Sequence, residues 1–501
     1  MEAGIKLVTK RFWLYALILG CATFIVYLPS LAHLLRSETY IYFMNTQGDN
    51  SFWSLITHYF NYTQTQVYDP GDPLLFRPLG YAVLGFEKWA FGFNYIGWRI
   101  FGLALHLLVC LCLFRLLWKI KPNVLTLIVS LFFSTMFIGI NAVLYENVSL
   151  YMVFTVLVLT AIYYLYSGLK DNKPYYFYFV GLVMLIVCFI YELGIVFLCL
   201  FIGYLWLKHY KKYAFILSFI IPIYVVCYLI RLILGQHDML HSEVSSVFNL
   251  QYLVSFGVNL FIWVKTWFCQ IILPSSFSLV AVPNLGNQPV GFAMSNGYVL
   301  IGLNIIALAV LVYVVIPSKK FLKLEGLDKQ FLILSFVMAC IFLLSNLIFR
   351  GGNRGISYIL NTNISAYMFL AWLSIAIFIL FKNVNTKQVK LASVAFLVVI
   401  CISSWMVFSV SRELNQVTQQ SRDYLKSVDD FVAQHKGEPD FSFYVERDEY
   451  LKFNTDIGMF RYGESIELYP IPKIYYPKYW NKDNPKYKLM INSDGLIAVN
   501  Q

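Results

Sequence analysis

Glu38 and Asp49 follow the first long apolar run of the chain, and Arg77 and Glu87 precede the second. Glu146, Glu192, Arg350 and Arg354 stand in short stretches between later runs, and Lys265 interrupts an apolar stretch in the second long loop. Carboxylates can take a proton from a hydroxyl, and Arg or Lys can hold an anion, so gathered at one place these groups make a mixed site suited to group transfer. Each has a plainer reading. Glu146 and Glu192 could be solvated helix caps, and Arg77 could anchor the chain at a lipid interface. His106 lies inside an apolar run, where a histidine satisfied by core partners is the commoner case. Asp69 and Asp72, in YDPGDP, read as turn residues. His237 and His241 have HxxxH spacing, but in a polar loop, which does not suit a metal site. No cofactor or metal is expected, with a divalent ion left open.

The elements that must position these residues are membrane spans. Hydrophobic residues make up 59% of the 501 residues and charged residues 13%, against about 25% charged in soluble chains. The apolar runs are about 20 residues long, enough to cross some 30 Å of hydrocarbon. The net charge of +11 does not point to nucleic acid, because Lys and Arg sit at the ends of apolar runs, where orientation signals belong. Most of the nine Cys lie inside those runs and form neither a disulfide framework nor a CxxC site. The run from Phe12 to about Leu34 reads as a signal anchor.

Threading the chain from a cytoplasmic N-terminus (Lys6, Lys10, Arg11) gives about eleven spans, near 12–34, 95–118, 122–141, 149–168, 174–190, 193–207, 213–233, 294–319, 330–349, 362–381 and 391–410. Every Lys cluster then falls on the cytoplasmic side, provided that Leu250–Leu273, with Lys265, Gln270 and Pro274, is interfacial or re-entrant. The expectation is an all-α polytopic membrane domain over 1–410, with external loops at 35–92 and 234–293. An external C-terminal cap of mixed α and β structure covers 411–501. In it, Ser411–His435 has helical spacing, and Phe441–Phe453 and Ser465–Tyr476 look strand-like.

The first loop carries a recognisable pattern: Phe76-Arg77-Pro78-Leu79, then an apolar helix, then Gly92, Asn94 and His106. It resembles the aromatic-Arg-Pro-Leu … Asn … Leu-His signature of GT-C-class membrane glycosyltransferases, especially the protein O-mannosyltransferase-like group and bacterial polyprenyl-phosphate-sugar transferases. Further resemblances follow in chain order. NAVLYENVSLYMVF is similar to that family's turn with a Glu, here Glu146. IYELGIVFL is similar to its Lys-Glu-x-Gly-Ile turn, with Glu192 and Gly194, although Tyr191 replaces the basic residue. FIWVKTWFCQIILP is similar to its interfacial helix, with Lys265 and Pro274. RGISYI is similar to its Arg…Tyr turn, with Arg354 and Tyr358. The likeness covers about residues 12–380. The family's acid after the first span is usually Asp, whereas RSETYIYFMN offers Glu38.

The resemblance implies a GT-C-like fold and an inverting transfer of a sugar from a polyprenyl-phosphate donor to a hydroxyl of a glycan, lipid or protein. The transfer would occur at the extracytoplasmic face of a bacterial inner membrane. The base would be Glu38, held close to a span end, with Asp49 as its rival, which follows Gly48 in a looser stretch that suits a base less well. Arg77, His106, Glu146, Glu192, Lys265, Arg354 and Tyr358 would bind the donor phosphate or substrate. Glu38 could instead merely pair with Arg36. Two other classes remain. A lipid-linked polysaccharide polymerase or ligase would not call for an acid after span one. A lipid-linked sugar flippase or transporter would carry mid-span charges and inverted repeats, and neither is evident.

Overall fold

A computed structural model describes residues 2–35, 39, 42–43, 46, 51–57, 77–136, 139–144, 149–233, 297–315, 326–350, 363–382, 386–446, 456–457, 460–461, 476, 478–481, 483–492 and 495–500. The described chain is mostly helical. Its helices are α1 Glu2–Tyr27, α2 Phe52–Thr57, α3 Pro78–Phe91, α4 Tyr95–Ile120, α5 Val124–Thr135, α6 Ile140–Leu144, α7 Ser149–Lys170 and α8 Tyr176–Ile190. There follow α9 Leu193–Leu207, α10 Lys211–Ser218, α11 Ile220–Ile233, α12 Gly297–Val315, α13 Gly326–Arg350, α14 Asn363–Phe381 and α15 Thr386–His435.

Helix is present in each of the eleven expected segments. Among the described residues five stretches are long and apolar enough to cross a membrane: Thr9–Ala32, Tyr95–Ile120, Ser149–Lys170, Lys211–Ile230 and Lys387–Ser409. Others are shorter apolar helices, such as Val124–Thr135, Tyr176–Ile190 and Leu193–Leu207. The expected third span stops at Thr135 and resumes as α6. Peripheral helices turn apolar side chains outward, among them Leu17 and Ile25 on α1 and Ile223 and Val226 on α11, as a lipid-facing surface requires. Inside, α4 packs on α7 and α7 on α8, around buried Phe114, Phe154, Phe177 and Phe197.

The two ends of the bundle differ in chemistry. At one end Lys119 pairs with Asp171 at 2.7 Å and Lys382 with Asp328 at 2.5 Å. Lys121 there donates to the Lys382 carbonyl at 2.5 Å. Lys170 donates to the Lys119 carbonyl at 2.7 Å, so lysines from three separate expected loops share one end. Phe12 packs against Phe114 and Trp118, which places the N-terminal half of α1 at this end too.

The cap stands at the other end, and a single helix runs through the expected boundary at 410, although its apolar stretch ends at Ser409. No Gly or Pro occurs between Thr386 and His435, so nothing breaks the helix at 410, and α15 runs 50 residues, about 75 Å. Strands β1 Phe443–Glu446, β4 Tyr487–Asn492 and β5 Gly495–Asn500 form one sheet in the order β1-β4-β5. The first pair is parallel and the second antiparallel. Strands β2 Asp456–Ile457 and β3 Phe460–Arg461 make a small antiparallel pair. The expected strand at 441–453 is seen as β1 and otherwise lies outside the described residues, as does 465–475. Val428, Phe431, Phe443 and Leu489 of the cap share a core with Leu35, Phe43, Tyr81, Leu84 and Trp98. The cap is thus seated on the segment that follows α1 and on α3.

Candidate functional site

Pro78 starts α3 and leaves Arg77 as its N-cap, a position where proline's missing N–H costs nothing. Gly80 lets α3 lie against the end of α8, since a Cβ there would come 2.6 Å from the Ile190 carbonyl oxygen. Gly194 allows the tight turn between α8 and α9, where a Cβ would meet the Val187 carbonyl oxygen at 2.7 Å. These two glycines bring Arg77 onto Glu192. Arg77 Nε donates to Glu192 Oε2 at 2.6 Å, Nη2 donates to Oε1 at 2.5 Å, and Nη1 donates to the Tyr151 hydroxyl at 2.8 Å. The guanidinium also lies 4.4 Å from the centroid of the Tyr191 ring. Arg77 is 5% exposed and the Glu192 side chain 36%. Burial pulls the guanidinium pKa down, but Glu192 outweighs it and holds the value well above the ordinary one, so the pair is ionic.

Glu192 therefore fills the arginine fork that was expected to meet a donor phosphate. In this arrangement Arg77 fixes the α8–α9 turn against α3. Further along α3, Ser149 donates to buried Glu87 at 2.7 Å. Lys88 donates to the Thr46 carbonyl and hydroxyl, each at 2.7 Å.

Arg99 was not anticipated, although a charged residue one turn inside an apolar run is a visible signal. It is 4% exposed. Its Nε donates to the His33 carbonyl at 3.2 Å, Nη2 to the Leu34 carbonyl at 2.6 Å and Nη1 to the Leu144 carbonyl at 2.5 Å. Leu34 leads toward Glu38 and Leu144 toward Glu146, so the chain enters both acid-bearing stretches from one guanidinium. The segment 29–34 is held from a second side by α15. Asn415 donates to the Pro29 carbonyl at 2.8 Å, Arg422 donates to the Ala32 carbonyl, and the His33 ring meets the Ser411 carbonyl at 2.7 Å.

His106 lies seven residues deeper on α4 than Arg99, about 10 Å along the axis. Its Nδ1 meets the Tyr367 hydroxyl at 2.9 Å and its Nε2 meets the Ser134 carbonyl at 3.0 Å. Tyr27, Phe133 and Tyr367 pack around the ring. The histidine is 1% exposed and ties four helices together as a core residue. Glu38, Asp49, Glu146, Lys265, Arg354 and Tyr358 lie outside the described residues. Among the described residues no cluster of three or more His, Cys, Asp or Glu could hold a metal ion.

No protein-family model matches the chain, and no curated protein is detectably similar to it in sequence.

Proposed function

We propose that the chain is an inverting glycosyltransferase that moves a sugar from a polyprenyl-phosphate donor to an acceptor hydroxyl at the extracytoplasmic membrane face. The observation that carries this reading is a depth. Arg99 precedes Lys119 by 20 residues on α4, about 30 Å at 1.5 Å per residue, one hydrocarbon thickness. If the lysines mark the cytoplasmic interface, Arg99, Arg77, Glu87 and Glu192 mark the opposite one, the level at which a lipid-linked phosphate would lie.

In this reading Glu38 or Asp49 removes the acceptor proton as the hydroxyl attacks the anomeric carbon. The bond to the lipid phosphate breaks, and the phosphate leaves with its electron pair. Lys265 and Arg354 are the cations proposed to meet that phosphate, with Glu146 and Tyr358 beside the substrate. Arg77, Glu192 and Arg99 hold the frame. Direct displacement asks for no protein nucleophile. A polymerase or ligase acting on a lipid-linked polysaccharide, or a flippase, is the competing reading.

Purified protein in nanodiscs, given a panel of polyprenyl-phosphate sugars and candidate acceptors, tests this. Formation of free polyprenyl phosphate together with a glycosylated acceptor is expected. Consumption of polyprenyl-pyrophosphate glycans instead, or translocation without transfer, would end the proposal.

A further inference from the structure

We propose that the surface around Arg115, where α4 meets α7 at the lysine-rich end, binds the head group of an anionic phospholipid. Arg115 is exposed on the face of α4 that also exposes Leu108 and Leu111. It stands four residues, about 6 Å, inside the level of Lys119. The carboxylates that meet the lysines at this end, Asp171 and Asp328, are held by Lys119 and Lys382. Among the described residues Arg115 makes no ion pair. Its guanidinium lies over the Tyr163 ring of α7, 4.5 Å from the centroid. A cation left on a lipid-facing surface is unfavourable without an anion beside it, and the anion that a membrane supplies there is a lipid phosphate.

Two further observations shape the site. Cys112 and Thr160 are partly buried and approach to 4.0 Å. They lie on the seam between α4 and α7 about one turn inside Arg115, on the side of the bilayer centre. Tyr164, next to Tyr163, stacks on Phe179 with centroids 5.3 Å apart, while Tyr175 and Tyr178 are exposed. Such aromatics mark head-group depth. Arg115 therefore has a ring beneath it and, among the described residues, no ion-pair partner. The site lies at the opposite end from the proposed sugar-transfer site and does not depend on that reading.

The test is native mass spectrometry of the full-length protein in detergent, titrated separately with phosphatidylglycerol and phosphatidylcholine. Wild type is expected to retain phosphatidylglycerol at lower concentration than phosphatidylcholine. Arg115→Ala should weaken phosphatidylglycerol binding about fivefold, the worth of one cation at a membrane surface, and Arg115→Lys should keep most of it. Thermal unfolding of each variant checks the fold, and Arg115→Gln replaces the Ala variant if that one unfolds. Equal retention of the two lipids by wild type would overturn the proposal. So would unchanged phosphatidylglycerol binding by the charge-removed variant, or displacement of the lipid by inorganic phosphate alone.

Discussion

Arg77 and Glu192 stand 115 residues apart in the chain and meet through two hydrogen bonds of 2.6 and 2.5 Å. Both residues look functional in the sequence, and the structure makes them each other's partner. Removing one member of a buried ion pair costs about 3–5 kcal/mol, because the other charge is left uncompensated. Glu192 keeps a third of its surface in solvent, which screens part of that loss. Arg77→Ala should therefore destabilise the protein by about 1–3 kcal/mol. Arg77→Lys, which keeps the charge and loses the fork, should fall in between. A double-mutant cycle with Glu192→Ala, read from unfolding in detergent, checks the pairing. Strict additivity would mean that the two side chains do not interact.

The placement of the cap carries a topological prediction. α15 leaves the lysine-rich end at Lys387 and Lys390 and reaches the cap at the other end of the bundle. Sidedness then follows from the lysines. A reporter that is active only in the cytoplasm should be silent when fused after Gln501 and active when fused before Met1. Activity at both positions would show that the chain crosses the membrane an even number of times, and the site would change sides.

The helical architecture was legible because apolar runs bounded by lysines leave little choice. Single residues were less so. Arg77 and Glu192 were both visible, but their pairing depends on Gly80 and Gly194 allowing close backbone approach, which is a three-dimensional fact. Arg99 is visible as a charge one turn inside an apolar run, but its role is not, because its partners are backbone carbonyls. The boundary at 410 followed the change from apolar to polar composition. A helix continues through such a change when no Gly or Pro interrupts it. The hairpin of β4 and β5 could have been found from the sequence Asn-Ser-Asp-Gly at 492–495 between the short apolar runs 489–491 and 496–499.

The cap also has a pH signature. Glu438 accepts from His435, Lys486 and Tyr487 at 2.7, 2.9 and 2.7 Å, and these bonds lower its carboxyl pKa from 4.5 to about 2. The unfolded chain therefore binds the proton more readily than the folded one. The stabilisation is complete above about pH 4.5 and is lost as pH falls toward 2. The difference in cap unfolding temperature between wild type and Glu438→Gln, measured in the full chain, should shrink as pH falls below 4.5. A difference unchanged down to pH 2 would assign the effect of the substitution to something other than the carboxylate charge.

The proposed base is the most consequential claim to test. Arg99, Asn415 and Arg422 hold the backbone of residues 29–34 from two sides, so the chain leaves for Glu38 from a fixed point, and a base gains from a fixed origin. Asp49 lies eleven residues further on and follows Gly48, which leaves it less constrained. General-base catalysis is worth about 10²–10⁴-fold. Glu38→Gln keeps the size of the side chain but cannot take a proton, so turnover should fall within that range while donor binding survives. Asp49→Asn, at matched expression in the same membranes, should have the smaller effect. Normal turnover in Glu38→Gln beside a dead Asp49→Asn would move the base to Asp49. Full activity in both would leave the transfer without a carboxylate base and remove the main chemical support for a glycosyltransferase.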